Sequence, residues 1–418
     1  MMLPIIICLI LFAFLLFDYR KAVITITIIS AFLSAQGILQ ANVFGIISVP
    51  ILVLLPFFIR SNNIHINKFP FIVSFVVLLS SFFLSTYFAE DKHYMTMLLR
   101  VCETIICPIV FWIILMEDKE RTIKYALKVA IVYASFICLY CLLESILQKN
   151  LFVDYMNSIG IYSYNYDLKI RFGLKRCYTF FPMHITNGAV SIILFTIILY
   201  AKIKKIICGR YIDFIILLLI FNAFATGARS VMAAMVIAFL FFINRKVITI
   251  KKIFAISIII ILVIIGLWDY INDIVNSFIN TDAVSGSNAD MREVQFELAL
   301  FFLNQSFWLG NGVGFTYYVI TNYAEMMGAE SLWFPVIMEQ GVLGVVAYLM
   351  FFISTIMYGL RNRMRNLIFF PISFFVLFTM TSVPCIYPTH IIPYLCILLA
   401  INTNQAINNN HNIRFNNK

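Results

Sequence analysis

Long, predominantly apolar runs recur from one end of the chain to the other, and only a lipid bilayer makes use of so many. They lie near 2–17, 22–39, 43–59, 69–88, 95–116, 125–147, 184–201, 211–225, 229–244, 253–268, 332–357, 367–383 and 386–402. A hydrocarbon core takes roughly 20 residues of helix, and every backbone polar group inside it must be bonded within the protein. Several runs fall short of that length, so their ends are soft. Alternation of apolar and polar residues over strand lengths is missing, which speaks against a membrane barrel. Residues are 62% hydrophobic and only 12% charged, a balance that no soluble fold keeps from water. The expected fold is therefore an all-α polytopic transmembrane helical bundle of about 12–13 spans, a single membrane domain over 1–418. The lower count applies if the first run lies on the surface. That run lacks a basic start and a small-residue cleavage site, so it is read as a helix and not as a cleaved signal.

Orientation follows from the basic residues. Arg20/Lys21, Arg60/Lys68, Lys119/Arg121/Lys124, Lys202/Lys204/Lys205/Arg210, Arg245/Lys246/Lys251/Lys252 and Arg361/Arg363/Arg365 occupy alternate gaps between runs. All six groups can face the cytoplasm at once, with the Asn-rich tail after Asn402. About twenty-one of the thirty Lys and Arg then lie inside. The net charge of +10 is accounted for in this way and does not call for nucleic acid.

Two long loops are left on the opposite, outer face. The first, about 148–183, carries Lys149, Lys169, Arg171, Lys175 and Arg176 against Asp154 and Asp167. The second, about 269–330, is acidic, with Arg292 as its one base. Loops longer than connection demands usually carry function, and opposite charges let these two attract. Internal repeats are absent, which weighs against an inverted-repeat transporter.

Three stretches on the outer side place arginines at the ends of spans. In "NAFATGARSVMAAMVIAF" the chain must turn at Thr226-Gly227, because both flanks are basic and a single helix over 211–243 would extend ~50 Å. Arg229 then opens a helix at the tip of a hairpin, where it either snorkels to headgroups or meets an anion at the helix N-terminus. "MREVQFELALFFLNQSFWLGNGVG" reads as an amphipathic surface helix over 291–304, followed by a flexible turn at Gly310, Gly312 and Gly314. Arg292 in it is either neutralised by Glu293 or Glu297, or holds a ligand. Arg171 and Arg176 precede "CYTFFPMHITNGAVSII", where Pro182 and Gly188 are candidates for a break at the head of a span and His184 lies near the surface.

Inside the runs, Arg100 and Glu103 stand one turn apart and are expected to pair. Glu144 is a candidate partner for an outer arginine. The C-L-Y-C at Cys138 and Cys141 reads as two small core-facing residues, and Cys177 as a lone outer thiol without a disulfide. The five His have no ligand spacing, so no metal site is expected; nor does the chain carry a phosphate-binding or dinucleotide fingerprint. "GAESLWFPVIMEQGVLG" opens a span with two acids nine residues apart. If helical, Glu339 lies ~13 Å deeper than Glu330, too far for a glycosidase-like pair. Glu330, at the water interface, is the candidate to orient or deprotonate a hydroxyl; Glu339 is expected to be structural, bonding a neighbouring helix or an arginine.

"TGARS", the arginine opening a surface helix, "WLGNGVGFTYY" and "ESLWFPVIMEQGVLG", in that order, resemble the O-antigen polymerase and ligase superfamily of bacterial inner membranes. "RFGLKRCYTFFPMHITNGA" is similar to an earlier motif of the same family. The resemblance covers about 165–357 and rests on Arg229, Arg292, Gly310/Gly312/Gly314 and Glu339/Gly341/Gly344. It implies polymerisation of undecaprenyl-pyrophosphate-linked oligosaccharides on the outer face, without cofactor or metal. Arg229, Arg292 and Glu330 would carry catalysis, with substrate held by Arg176, Arg171, His184 and Gly312. A chain-length regulator is an implied partner beside the lipid bilayer. Ligases of this family usually carry His nine positions before the Glu, where Glu330 stands here, and that difference favours a polymerase. A ligase acting on lipid A core and a lipid-linked oligosaccharide flippase remain the alternatives.

Overall fold

The computed structural model describes residues 2–34, 42–62, 69–158, 170–171, 174–181, 183–242, 272, 289–326, 331–361, 365–380 and 391–401. The expected run at 253–268 and the catalytic candidate Glu330 lie outside these residues.

The protein is an all-α polytopic membrane bundle. Among the described residues five helices are long and apolar enough to cross a membrane: Val43–Arg60, Tyr94–Glu117, Lys119–Leu147, His184–Ile203 and Trp333–Arg361. Shorter apolar helices cover Leu3–Phe17, Ile72–Phe88, Arg229–Ala238 and Ile392–Ile401. Among the described residues the strand pairing is a small antiparallel ladder in the first long loop, where Ile170 pairs with Lys175 and Arg171 with Leu174. That loop also contains a short helix, Leu151–Ser158.

Side-chain size, not polarity, sorts the faces of these helices. In Lys119–Leu147 the exposed residues Val132, Phe136, Leu139, Leu143 and Ile146 repeat every three or four positions. Ala126, Ala130, Ala134, Cys138 and Cys141 line the opposite, buried face. Lipid is as apolar as leucine, so close approach of small residues decides which side packs. The expected core-facing role of Cys138 and Cys141 agrees with this placement. His184–Ile203 is enclosed by the Arg210–Ala225, Lys119–Leu147 and Arg229–Phe242 helices and is buried almost all round.

Contacts between loops separate by face as the basic residues require. Arg20 Nη2 reaches Glu117 Oε1 at 2.6 Å, and Lys202 pairs with Asp213, so basic-face loops bond to each other. At the other end Gly312 lies against Ala89 and Asp91, Gly314 against His93, and the Cys177 N–H donates to the Ala225 carbonyl at 3.0 Å.

The helix Trp333–Arg361 packs between Ile72–Phe88 and Arg365–Met380, and Ala289–Gln305 lies on it. It is not continuous. Gly341 has φ 59° and ψ −156°, a conformation only glycine adopts readily. The break frees backbone groups that the apolar interior cannot leave unbonded. The segment 307–312 supplies them. Val342 and Leu343 N–H donate to the Phe307 and Trp308 carbonyls, while Asn311 and Gly312 N–H donate to the Met338 and Glu339 carbonyls, all at 2.8–3.1 Å. Gly310, Gly312 and Gly314 all have positive φ. The turn expected to be flexible is therefore corrected to a docked one, held by main-chain bonds to the broken helix.

Candidate functional site

Five pieces of chain meet around Arg176: the end of Lys119–Leu147, the segment 174–181, the start of His184–Ile203, the turn at 226–228 and the start of Arg229–Phe242. Glu144 anchors the segment. Its buried carboxylate accepts the Thr179 N–H at 2.8 Å, the Tyr178 N–H at 3.1 Å and the Asn150 amide at 3.2 Å. Glu144 thus serves backbone donors, and among the described residues no arginine takes the place expected beside it. Carboxylates that accept several N–H groups hold a loop that no regular ladder supports. Replacing Glu144 by alanine leaves those two N–H groups buried and unbonded, at about 1–3 kcal/mol each. A clear fall in melting temperature in detergent is expected, smaller for Glu144→Gln, and an unchanged midpoint in both variants contradicts the anchoring role.

Two asparagines fix the helices beneath. Asn187 and Asn222 exchange amide hydrogen bonds at 2.8 and 3.0 Å, and Asn222 also donates to Ser191 Oγ. Asn187 further donates to the Cys177 carbonyl at 3.2 Å, tying the loop to both helices. A side-chain carbon added at Gly188 would lie 2.5 Å from Val231 Cγ1, so this glycine admits the neighbouring helix. The helix runs unbroken from His184 to Ile203, which corrects the break expected at Gly188. The Cys177 Sγ lies 3.1 Å from Ser145 Oγ.

Within this frame Arg176 is 8% exposed. Its Nη1 lies 3.1 Å from His184 Nε2, and the His184 ring stands edge-on to Tyr178 at 5.3 Å between centroids. Burial pushes the Arg176 guanidinium below the usual arginine range; Tyr178 opposes this and the nearby Arg229 charge adds to it. Arg229 is where the sequence puts it: the preceding helix ends at Ala225, Gly227 turns with φ 63°, and Arg229 is the first residue of the next helix. On the segment 174–181 and the start of the helix after it, three buried polar atoms have no partner among the described residues: Arg176 Nε, Thr179 Oγ1 and Thr186 Oγ1.

Arg176, His184 and Arg229 thus come together. Arg171 lies in the small ladder, five positions before Arg176. Arg292 is half-buried in the first turns of Ala289–Gln305. That helix extends the expected 291–304 by two residues at its start and one at its end, burying Gln295, Ala299, Phe302 and Leu303 and exposing Val294, Phe296, Leu300 and Phe301. Gly312 belongs to a second cluster, the broken helix and its docked segment.

That cluster contains an ion pair the sequence did not suggest. Arg100 Nη1 donates to Glu339 Oε2 at 2.5 Å, and Glu103 accepts from the Asn42 amide. The expected Arg100–Glu103 pair is corrected accordingly. A wider, π-type turn over Cys102–Ile106 carries Glu103 toward Asn42. Glu339 Oε1 also accepts the Thr316 N–H, a first-turn donor of Phe315–Asn322, at 3.3 Å. Glu339, 1% exposed, thus pairs with an arginine, one of the two bonds expected of it.

Sequence reasoning missed Asn187, Asn222, Thr179 and Thr186. Amide side chains in the middle of apolar runs were the available signal for the first two. Against known families, residues 214–349 match the model described as O-antigen ligase, about a third of the chain. The match includes Arg229, Arg292, Gly312, Glu330 and Glu339, and leaves Arg100, Arg171, Arg176 and His184 outside it. No curated protein matches the chain.

Proposed function

We propose that the chain, a multi-pass membrane protein whose residues 214–349 match an O-antigen ligase model, polymerises undecaprenyl-pyrophosphate-linked oligosaccharide units into a surface polysaccharide. The reaction takes place on the outer face of a bacterial inner membrane. One observation carries the proposal: a guanidinium as buried as Arg176 stands beside a second, Arg229, and no carboxylate pairs with Arg176 among the described residues. Like charges gathered in this way need an anion, and guanidiniums suit a diphosphate through paired hydrogen bonds. Arg176 Nε and the Thr179 and Thr186 hydroxyls, from the same segment and the helix it leads into, are buried donors without a partner among the described residues.

In the proposed reaction a hydroxyl oxygen of the acceptor glycan bonds to the anomeric carbon of the donor sugar. The bond from that carbon to the phosphate oxygen breaks, and the lipid diphosphate leaves with the electron pair. Arg176 and Arg229, with Arg292 and Arg171 from the flanking loops, offset the charge that grows on the leaving oxygen. Such stabilisation is usually the largest catalytic term. The hydroxyl proton passes to Glu330. No cofactor or metal takes part. Gly312 belongs to the segment that shapes the acceptor side, and a chain-length regulator is the proposed protein partner. Glu330 in place of the histidine common in ligases supports a polymerase.

Deleting the gene and separating the surface glycans on a gel distinguishes the alternatives. Loss of a polymerase leaves single repeats on the core, loss of a ligase leaves none attached, and loss of a flippase traps the units inside. Arg229→Ala is expected to lower polymer output by about a hundredfold or more, with normal amounts of protein in the membrane. Full-length polysaccharide from that variant would remove Arg229 from the mechanism.

A further inference from the structure

We infer that His184 is held as the neutral imidazole with its proton on Nδ1, and that it serves as a positioning residue for Arg176 rather than as the base. An arginine side chain has donors and no acceptor, so a hydrogen bond from Arg176 Nη1 at 3.1 Å must end on a lone pair of His184 Nε2. A neutral imidazole has one such lone pair, and Arg176 occupies it. No basic nitrogen is left to receive the proton of an acceptor hydroxyl.

The surroundings act in the same direction. His184 is the first residue of its helix, where the peptide dipoles present positive charge and disfavour an imidazolium. Arg176 faces it from the preceding segment, and Arg229, from the neighbouring helix, lies close enough to act on Arg176. Tyr178 lies edge-on to the ring and is a neutral phenol, its ionisation pushed up by burial and opposed by Arg176. Glu144 acts on Tyr178, and its oxygens are engaged by the Tyr178 and Thr179 N–H groups and Asn150. The Cys177 thiol turns to Ser145. His184 in turn gives the Arg176 guanidinium a fixed orientation, with Nη1 spent on the ring.

The catalytic arm of the test rests on the function proposed above; the spectroscopic arm does not. Histidine ring resonances of the full-length protein in detergent are followed over about pH 5 to 8, with His184 assigned by their loss in His184→Gln. Shifts that stay those of the Nδ1-protonated neutral ring support the inference; an ordinary histidine titration, or a protonated Nε2, overturns it. Glutamine places an oxygen near the position of Nε2, so it still accepts from Arg176. His184→Gln is expected to retain far more polymer formation than His184→Ala, with its pH profile unchanged. His184→Ala is expected to lower it roughly tenfold or more. A fall of about 10²–10⁴-fold in His184→Gln is the loss of a general base and overturns the positioning role. If the native protein itself makes no polymer while its ring remains neutral, the assigned function fails and the protonation state stands.

Discussion

Gly341→Ala is expected to release the 307–312 segment from the broken helix and to lower the stability of the protein strongly. Two independent effects add. With φ 59° and ψ −156° the residue lies in a region that costs a non-glycine residue about 1–3 kcal/mol. The added carbon would also lie 2.6 Å from Gly310 N and 2.8 Å from both Leu309 N and Phe307 O, which are main-chain atoms that cannot swing aside. A shift of the segment breaks the bonds from Val342, Leu343, Asn311 and Gly312, and each group left unbonded in an apolar interior costs about 1–3 kcal/mol more. The expected observation is a strongly lowered melting temperature in detergent and rapid proteolysis near residue 310. The lipid-facing Val346→Ala, which removes an exposed methyl pair, serves as control. A Gly341→Ala protein as stable and protease-resistant as the control would show that the helix is not broken there.

Arg100→Ala is expected to come next in effect, at about 3–5 kcal/mol, the usual cost of leaving one member of a buried ion pair alone. Glu339 is 1% exposed, and its remaining partner, the Thr316 N–H at 3.3 Å, does not neutralise it. The carboxylate must then take up a proton or draw in water, and either loosens the start of Phe315–Asn322. Arg100→Ala/Glu339→Gln removes both charges, and much of the loss should be recovered. Failure of the double variant to exceed the single one in melting temperature would mean that Arg100 acts by packing alone. Arg100 lies outside the matched segment 214–349, so the same pair ties an earlier helix to that segment.

Much of the architecture follows from one-dimensional signals because the bilayer imposes them. Apolar length marks helices whatever their neighbours, and alternate basic gaps sort the loops between two faces that the contacts of Arg20 with Glu117 and of Gly312 with Ala89 respect. The turn at Thr226-Gly227 and the placing of Arg229 at a helix start follow from the same length argument. The glycine cluster at 310–314 was visible too, but as a turn of unknown use.

What sequence order could not convey is partnership. Arg100 and Glu103 are three positions apart, yet the guanidinium goes to Glu339, 239 positions away, because a helix break places that buried carboxylate within 2.5 Å. Glu144 looked like a counter-ion and instead caps two backbone N–H groups, since a loop without a ladder must find acceptors where it is buried. Composition and spacing thus dictate that this chain is a membrane bundle with arginines on one face, since lipid acts on each segment separately. Which arginine meets which partner is set only when the helices pack, because desolvated charges and amides bond to whatever the fold brings within about 3 Å.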